Sequence, residues 1–238
     1  VLIGEFVVGI GLWAGIIGNL AFMTKLVPSD FHKSVILAIG MLAGLLVAPL
    51  AGRIIDSTSK KKVLLLSSLA RIASVLFMFI AIYTQSIIWM VAFLISLQIA
   101  ATFFMPALQS VIPMIVKDKD LLELNAWNMN IRTLSRIVGA AAAGVMVSYF
   151  DILWLYVVSF IMYIAMYFIL KLLVLEPDTE ADEQPKKGKE KGSFKEILPV
   201  LRQFPVVLVS LVLMIIPILF LGSFNLIIMK LSEMHNST

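Results

Sequence analysis

The 238-residue chain contains no cysteine. A disulfide framework, a thiolate nucleophile and a cysteine metal site are therefore excluded. Histidine is nearly absent too: His32 and His235 stand far apart and make no metal-ligand spacing. There is no Gly-x4-Gly-Lys-Ser/Thr stretch, so no nucleotide-binding loop of that type drives the protein. No Ser–His pair or carboxylate cluster supports an enzyme reading. Charge is scarce, at 14% of residues, where soluble domains carry about 25%. The sequence pI of about 9.3 does not point to nucleic acid in so apolar a chain. Its basic residues report instead on which loops face the cytoplasm.

What fills the chain is hydrophobic: 61% of residues, with a mean hydropathy of +1.00. Apolar runs fall at roughly 2–24, 35–55, 63–83, 87–109, 127–149, 152–174 and 205–229. Each is long enough to cross the ~30 Å hydrocarbon core as a helix. The expected fold class is an all-α polytopic membrane protein, since helices satisfy their own backbone groups in lipid. Three regions are expected. Residues 1–175 form a six-helix bundle, 176–204 a polar cytoplasmic linker, and 205–230 a seventh span that looks like the start of a second bundle. The linker's Pro, Gly and alternating charge blocks bury too little apolar surface to fold alone. Its later part, 194–204, has the pattern of a short amphipathic surface helix. Val1 already lies inside an apolar run, as though the sequence opens within a span.

Lysines set the expected orientation. The even loops carry Lys60, Lys61 and Lys62, then Lys117 and Lys119, then five lysines between 186 and 195. The odd loops hold only Lys25 and Lys33. Even loops and the N-terminus are thus predicted to be cytoplasmic.

The second loop asks a sharper question. "GRIIDSTSKKKVLL" places Gly52, Asp56 and Lys60 four apart, with Lys61 beside them. A carboxylate at the end of a span is costly unless paired, and these lysines are the nearest cations. The stretch resembles the loop between helices two and three of the major facilitator superfamily, Gly-x-Leu-Ala-Asp-Arg-x-Gly-Arg-Arg/Lys. Gly52, Asp56, Lys60 and Lys61 fall on matching positions, while Ser57 and Ser59 depart from it. A second stretch, Phe103 to Asn128, is similar to the helix-four exit of the macrolide-efflux and enterobactin-exporter-like branch. Phe103, Phe104, Pro106, Ala107, Pro113, Leu121, Asn125 and Ala126 carry that likeness. Leu12, Ala140 and the lack of an arginine in helix four depart from the marks of proton antiport. The resemblance implies a six-helix, three-plus-three inverted repeat of the major facilitator fold. It also implies a gate role for the loop, whose Asp56 and lysines would act as a latch, and a missing C-terminal half-bundle.

Within the spans, Gly4, Gly11, Gly15 and Gly18 form one smooth stripe, and Gly139 and Ala143, with Ala140 and Gly144, another. Small residues let helices approach closely. Ionisable groups inside spans face a cavity or a partner. Candidates for cavity or coupling roles are Glu5, Arg71, Arg132 and Arg136, with Trp13, Phe103 and Phe104 as cavity aromatics. Snorkelling competes with this reading for Arg132 and Arg136, and a structural ion pair for Arg71.

The resulting expectation is a secondary transporter in a bacterial inner or plasma membrane, not an enzyme. It exports amphipathic small molecules, drug-like or siderophore-like, by alternating access. Its partners are a small-molecule substrate, the lipid bilayer and an ion gradient of protons or another ion. No cofactor or nucleic acid is called for. The alternatives are uptake of a small solute, and a membrane scaffold or sensor reusing the fold.

Overall fold

The computed structural model describes residues 2–115, 120–173 and Val209. The chain divides into two compact units, Val1–Glu183 and Gln184–Thr238. Lys117, Lys119, the expected linker, its amphipathic stretch and the seventh span apart from Val209 lie outside the described residues.

Six helices follow in order: α1 (Leu2–Leu26), α2 (Asp30–Ser57), α3 (Lys60–Thr84), α4 (Ile87–Ile115), α5 (Leu121–Tyr149) and α6 (Ile152–Leu172). Each is long and apolar enough to cross a membrane. No strand occurs among the described residues. Several helices outrun the apolar windows that revealed them. α2 begins five residues earlier than its window and α5 six, while α4 runs on through Pro106 and Pro113 to Ile115. A hydropathy window finds the membrane-crossing part of a helix, whereas hydrogen bonding continues into the polar ends.

The connections are correspondingly tight. Between α3 and α4 the chain turns at Gln85, whose φ of 52° is left-handed. Glycine is the usual residue there. Gln85 holds the turn with its side-chain amide, which donates to the Ile82 carbonyl at 2.6 Å. Asp151 is the N-cap of α6, its carboxylate accepting from the Leu153 amide at 3.1 Å. The lysines Lys60, Lys61 and Lys62, expected in a loop, form the first turn of α3.

Close approaches fix how the helices run. Going along α1, Gly4, Gly11, Gly15 and Gly18 meet Met166, Met162, Ser159 and Tyr156 of α6 in turn, so the pair is antiparallel. The Ser159 hydroxyl donates across it to the Gly11 carbonyl at 2.7 Å. Gly9 faces Ser135, and Gly139 faces Ile10 and Trp13, so α1 and α5 are parallel. Gly40 and Gly44 of α2 meet Leu94 and Thr102 of α4, which makes that pair parallel as well. The glycine stripe of α1 thus packs on α6. On α5, Gly139 and Ala143 are buried against α1, but Gly144 points into open space and does not share their face.

The packing is unchanged when the first three helices are exchanged with the last three. α1 packs on α5 and α6, α4 on α2 and α3, and α3 on α6. Because successive spans alternate in direction, this exchange inverts the unit: the bundle is a three-plus-three inverted repeat. Its core holds Phe22, Met78, Met90, Phe93, Phe104, Tyr156 and Tyr163. Phe93 meets Tyr156 edge-on at 5.6 Å. α2 and α5, equivalent under the exchange, are the least buried helices. They turn Leu45, Leu46, Ile137 and Val145 outward, an apolar exterior suited to lipid or to further helices rather than to water.

Candidate functional site

The inward face of α3 is unusual for a membrane helix. Ser67, Ser68, Arg71 and Ser74 are all buried on it, at three- and four-residue spacing. Arg71 lies eleven residues after Lys60 and thirteen before Thr84, so it is about 16 Å from one helix end and about 20 Å from the other, near the middle of the span. Its guanidinium carbon sits 4.0 Å from the centre of the Phe104 ring on α4 and 6.0 Å from Tyr163 on α6. The serines do not serve it: Ser67 donates to the Leu64 carbonyl and Ser74 to the carbonyl of Arg71 itself. Arg71 is 2% exposed, yet Nε, Nη1 and Nη2 all lack a hydrogen-bond partner among the described residues.

Two further charges complete the cluster. Glu5 on α1 is buried, and among the described residues it is the only buried acid. Its Oε2 lies 3.7 Å from Nε of Arg132 on α5, and its Oε1 has no hydrogen-bond partner among the described residues. Glu5 is also within electrostatic reach of Arg71, with no hydrogen bond between them. Arg132 is partly exposed and directs Nη2 to the Met105 sulfur at 3.6 Å. One turn before it, Asn128 is buried with its Oδ1 unpaired. Five helices therefore deliver two guanidinium groups, one carboxylate and two rings to one region.

This arrangement is costly as it stands. An arginine at membrane depth costs roughly 2.5–3.5 kcal/mol on insertion scales. A desolvated cation–π contact returns about 2 kcal/mol, and each orphaned buried donor costs about 1–3 kcal/mol more. Packing alone does not account for it.

Of the residues singled out from sequence, the fold brings together Glu5, Arg71, Phe104 and Arg132. It does not bring Trp13, which packs where Gly139 lets α5 approach α1. Phe103 is half-buried against the core. Arg136 is exposed, with no ion pair or hydrogen bond among the described residues. Tyr163 and its place over Arg71 were not foreseen. A tyrosine inside "FIMYIAMYF" carries no periodic signal, and only the crossing of α3 and α6 reveals it.

In the turn between α2 and α3, Asp56 and Lys61 have different surroundings. Thr58 is extended, at φ −128° and ψ 153°, so Asp56 and Lys60 stand on different helices and four-residue spacing does not pair them. Asp56 is exposed, with no ion pair or side-chain hydrogen bond among the described residues. Gly52 has open space where a Cβ would be. Lys61 turns away from Asp56. Its Nζ donates to the carbonyls of Leu173 at 2.5 Å and Lys171 at 3.3 Å, at the end of α6. A cation there meets unpaired helix carbonyls and the negative end of the helix dipole.

The family model of the Major Facilitator Superfamily matches residues 1–237. The chain belongs to the major facilitator superfamily. Among curated relatives it is similar to macrolide efflux protein A of Streptococcus pyogenes, 26% identical over 134 residues. A protein of the same name in Enterococcus faecalis is 27% identical over 117 residues. These alignments cover 55% and 48% of the chain but only 33% and 36% of the relatives. The chain thus spans about a third of the length of the curated relatives it matches. No solved structure gives a significant match. As a major facilitator chain it is a multi-pass membrane protein, and its inverted repeat is that of the superfamily's six-helix unit.

Proposed function

We propose that the chain forms the first six-helix bundle of a secondary transporter that exports amphipathic small molecules by alternating access. The observation that carries this reading is the incompletely paired charge cluster at mid-membrane, built by helices from both halves of an inverted repeat. Transporters place substrate and coupling-ion sites at that depth and at that interface. Glu5, Arg71 and Arg132 would hold or exchange charge during the cycle, and Phe104 and Tyr163 would offer the apolar floor of the site. Glu5 is the natural carrier of a coupling proton, being the one buried acid among the described residues. The names of the relatives support efflux over uptake.

The test is an accumulation assay in bacteria lacking their main exporters, with and without the full-length protein. A macrolide and a lipophilic dye serve as probes. Accumulation should fall when the protein is present and recover when a protonophore collapses the gradient. Equal accumulation with and without the protein would overturn export.

A further inference from the structure

The geometry points to Arg71 as the anchor of a site for amphiphiles that carry a carboxylate or a similar planar oxyanion. The inference rests on the transporter reading and names the substrate class of the same site.

Three observations carry it. The first is donor count. A guanidinium presents five N–H donors in a planar fork, and every nitrogen of Arg71 is buried without an acceptor among the described residues. If Oε1 of Glu5 turned toward it, that oxygen's two lone pairs would still leave most donors unmet. The second is charge. Arg71 and Arg132 face one carboxylate, and Oε2 of that carboxylate is already beside Arg132. The surplus positive charge lies on Arg71. No other described acid reaches it: α4 presents Phe104, α6 Tyr163, and α3 its own serines. The third is surroundings. The guanidinium carbon lies 4.0 Å from the centre of the Phe104 ring, and a planar guanidinium pairs best with two oxygens side by side. A ligand with an apolar ring and a carboxylate would use both the fork and the aromatic floor.

The test is equilibrium binding to the full-length protein in zwitterionic nanodiscs, by calorimetry. Three probes share one ring: 2-naphthoate, 2-naphthalenemethanol and 2-naphthylmethylammonium. Naphthoate should bind about tenfold or more tighter than the alcohol, and the ammonium weaker than both. Arg71→Met should reduce naphthoate to the level of the alcohol, while Glu5→Gln should keep or tighten it. Equal affinity for the three probes would overturn the proposal, as would a naphthoate preference that survives Arg71→Met. An ammonium preference abolished by Glu5→Gln would replace it with a cation site built on Glu5. Should Arg71→Met fail to fold, Arg71→Lys decides: the charge stays but the fork is gone. A naphthoate preference reduced about fivefold supports the proposal, and an unchanged one refutes it. Binding is read without transport, so failure here is distinct from failure of the export reading.

Discussion

Lys61 and Asp56 sit five residues apart and serve different ends. Lys61 closes the last turn of α6 from the first turn of α3, where its charge opposes the dipole of its own helix but complements that of its neighbour. Lys61→Met should therefore lower bundle stability by about 0.5–2 kcal/mol. Asp56→Asn, exposed and unpaired within the bundle, should change it by less than about 0.5 kcal/mol. Denaturant unfolding of the two variants in detergent micelles checks both. If Asp56→Asn nonetheless slows transport, the partner of Asp56 lies beyond these six helices. Equal loss from both variants would mean that Asp56 pairs inside the bundle after all.

Helix contact in this bundle depends on missing side chains. A Cβ on Gly11 would lie 2.8 Å from Cβ of Met162 and 3.4 Å from the Ser159 carbonyl, so α1 and α6 would have to part. Gly11→Ala should cost about 1–3 kcal/mol, as overpacking does in a filled core. Gly52→Ala meets open space and should be neutral or stabilising by up to about 1 kcal/mol through helix propensity. The two variants, compared by thermal unfolding in the same detergent, separate glycine as a contact from glycine as a family motif. If both were neutral, the tight α1–α6 seam would be wrong.

Across the whole molecule, α3 joins two opposite membrane faces, with Ser59 before it and Gln85 after it. The lysine bias predicts that the Ser59 side faces the cytoplasm. Because the chain has no cysteine, single-cysteine variants report cleanly. An impermeant maleimide added to intact cells should label Gln85→Cys and spare Ser59→Cys until the cells are opened. The reverse pattern would invert the topology, and with it the face on which the turn between α2 and α3 acts.

Residue order alone determined that the chain crosses the membrane repeatedly, roughly where each helix lies, and which charges stand inside spans. Those facts follow from one-dimensional quantities, because a helix in lipid satisfies its own backbone and needs only sufficient length and apolarity. The family likeness was legible in "GRIIDSTSKKKVLL" and in the stretch from Phe103, where glycines, prolines and charges sit at fixed offsets. What those charges do was not legible. Arg71, Glu5 and Arg132 are 66, 61 and 127 residues apart, and nothing in the chain's linear pattern says that they meet. Likewise, four-residue spacing suggested Asp56 with Lys60, yet the break at Thr58 sends Lys61 to a carbonyl 112 residues away. Only tertiary structure decided these partners, because in a bundle of parallel and antiparallel helices neighbours are set by which faces cross at one depth, not by distance along the chain.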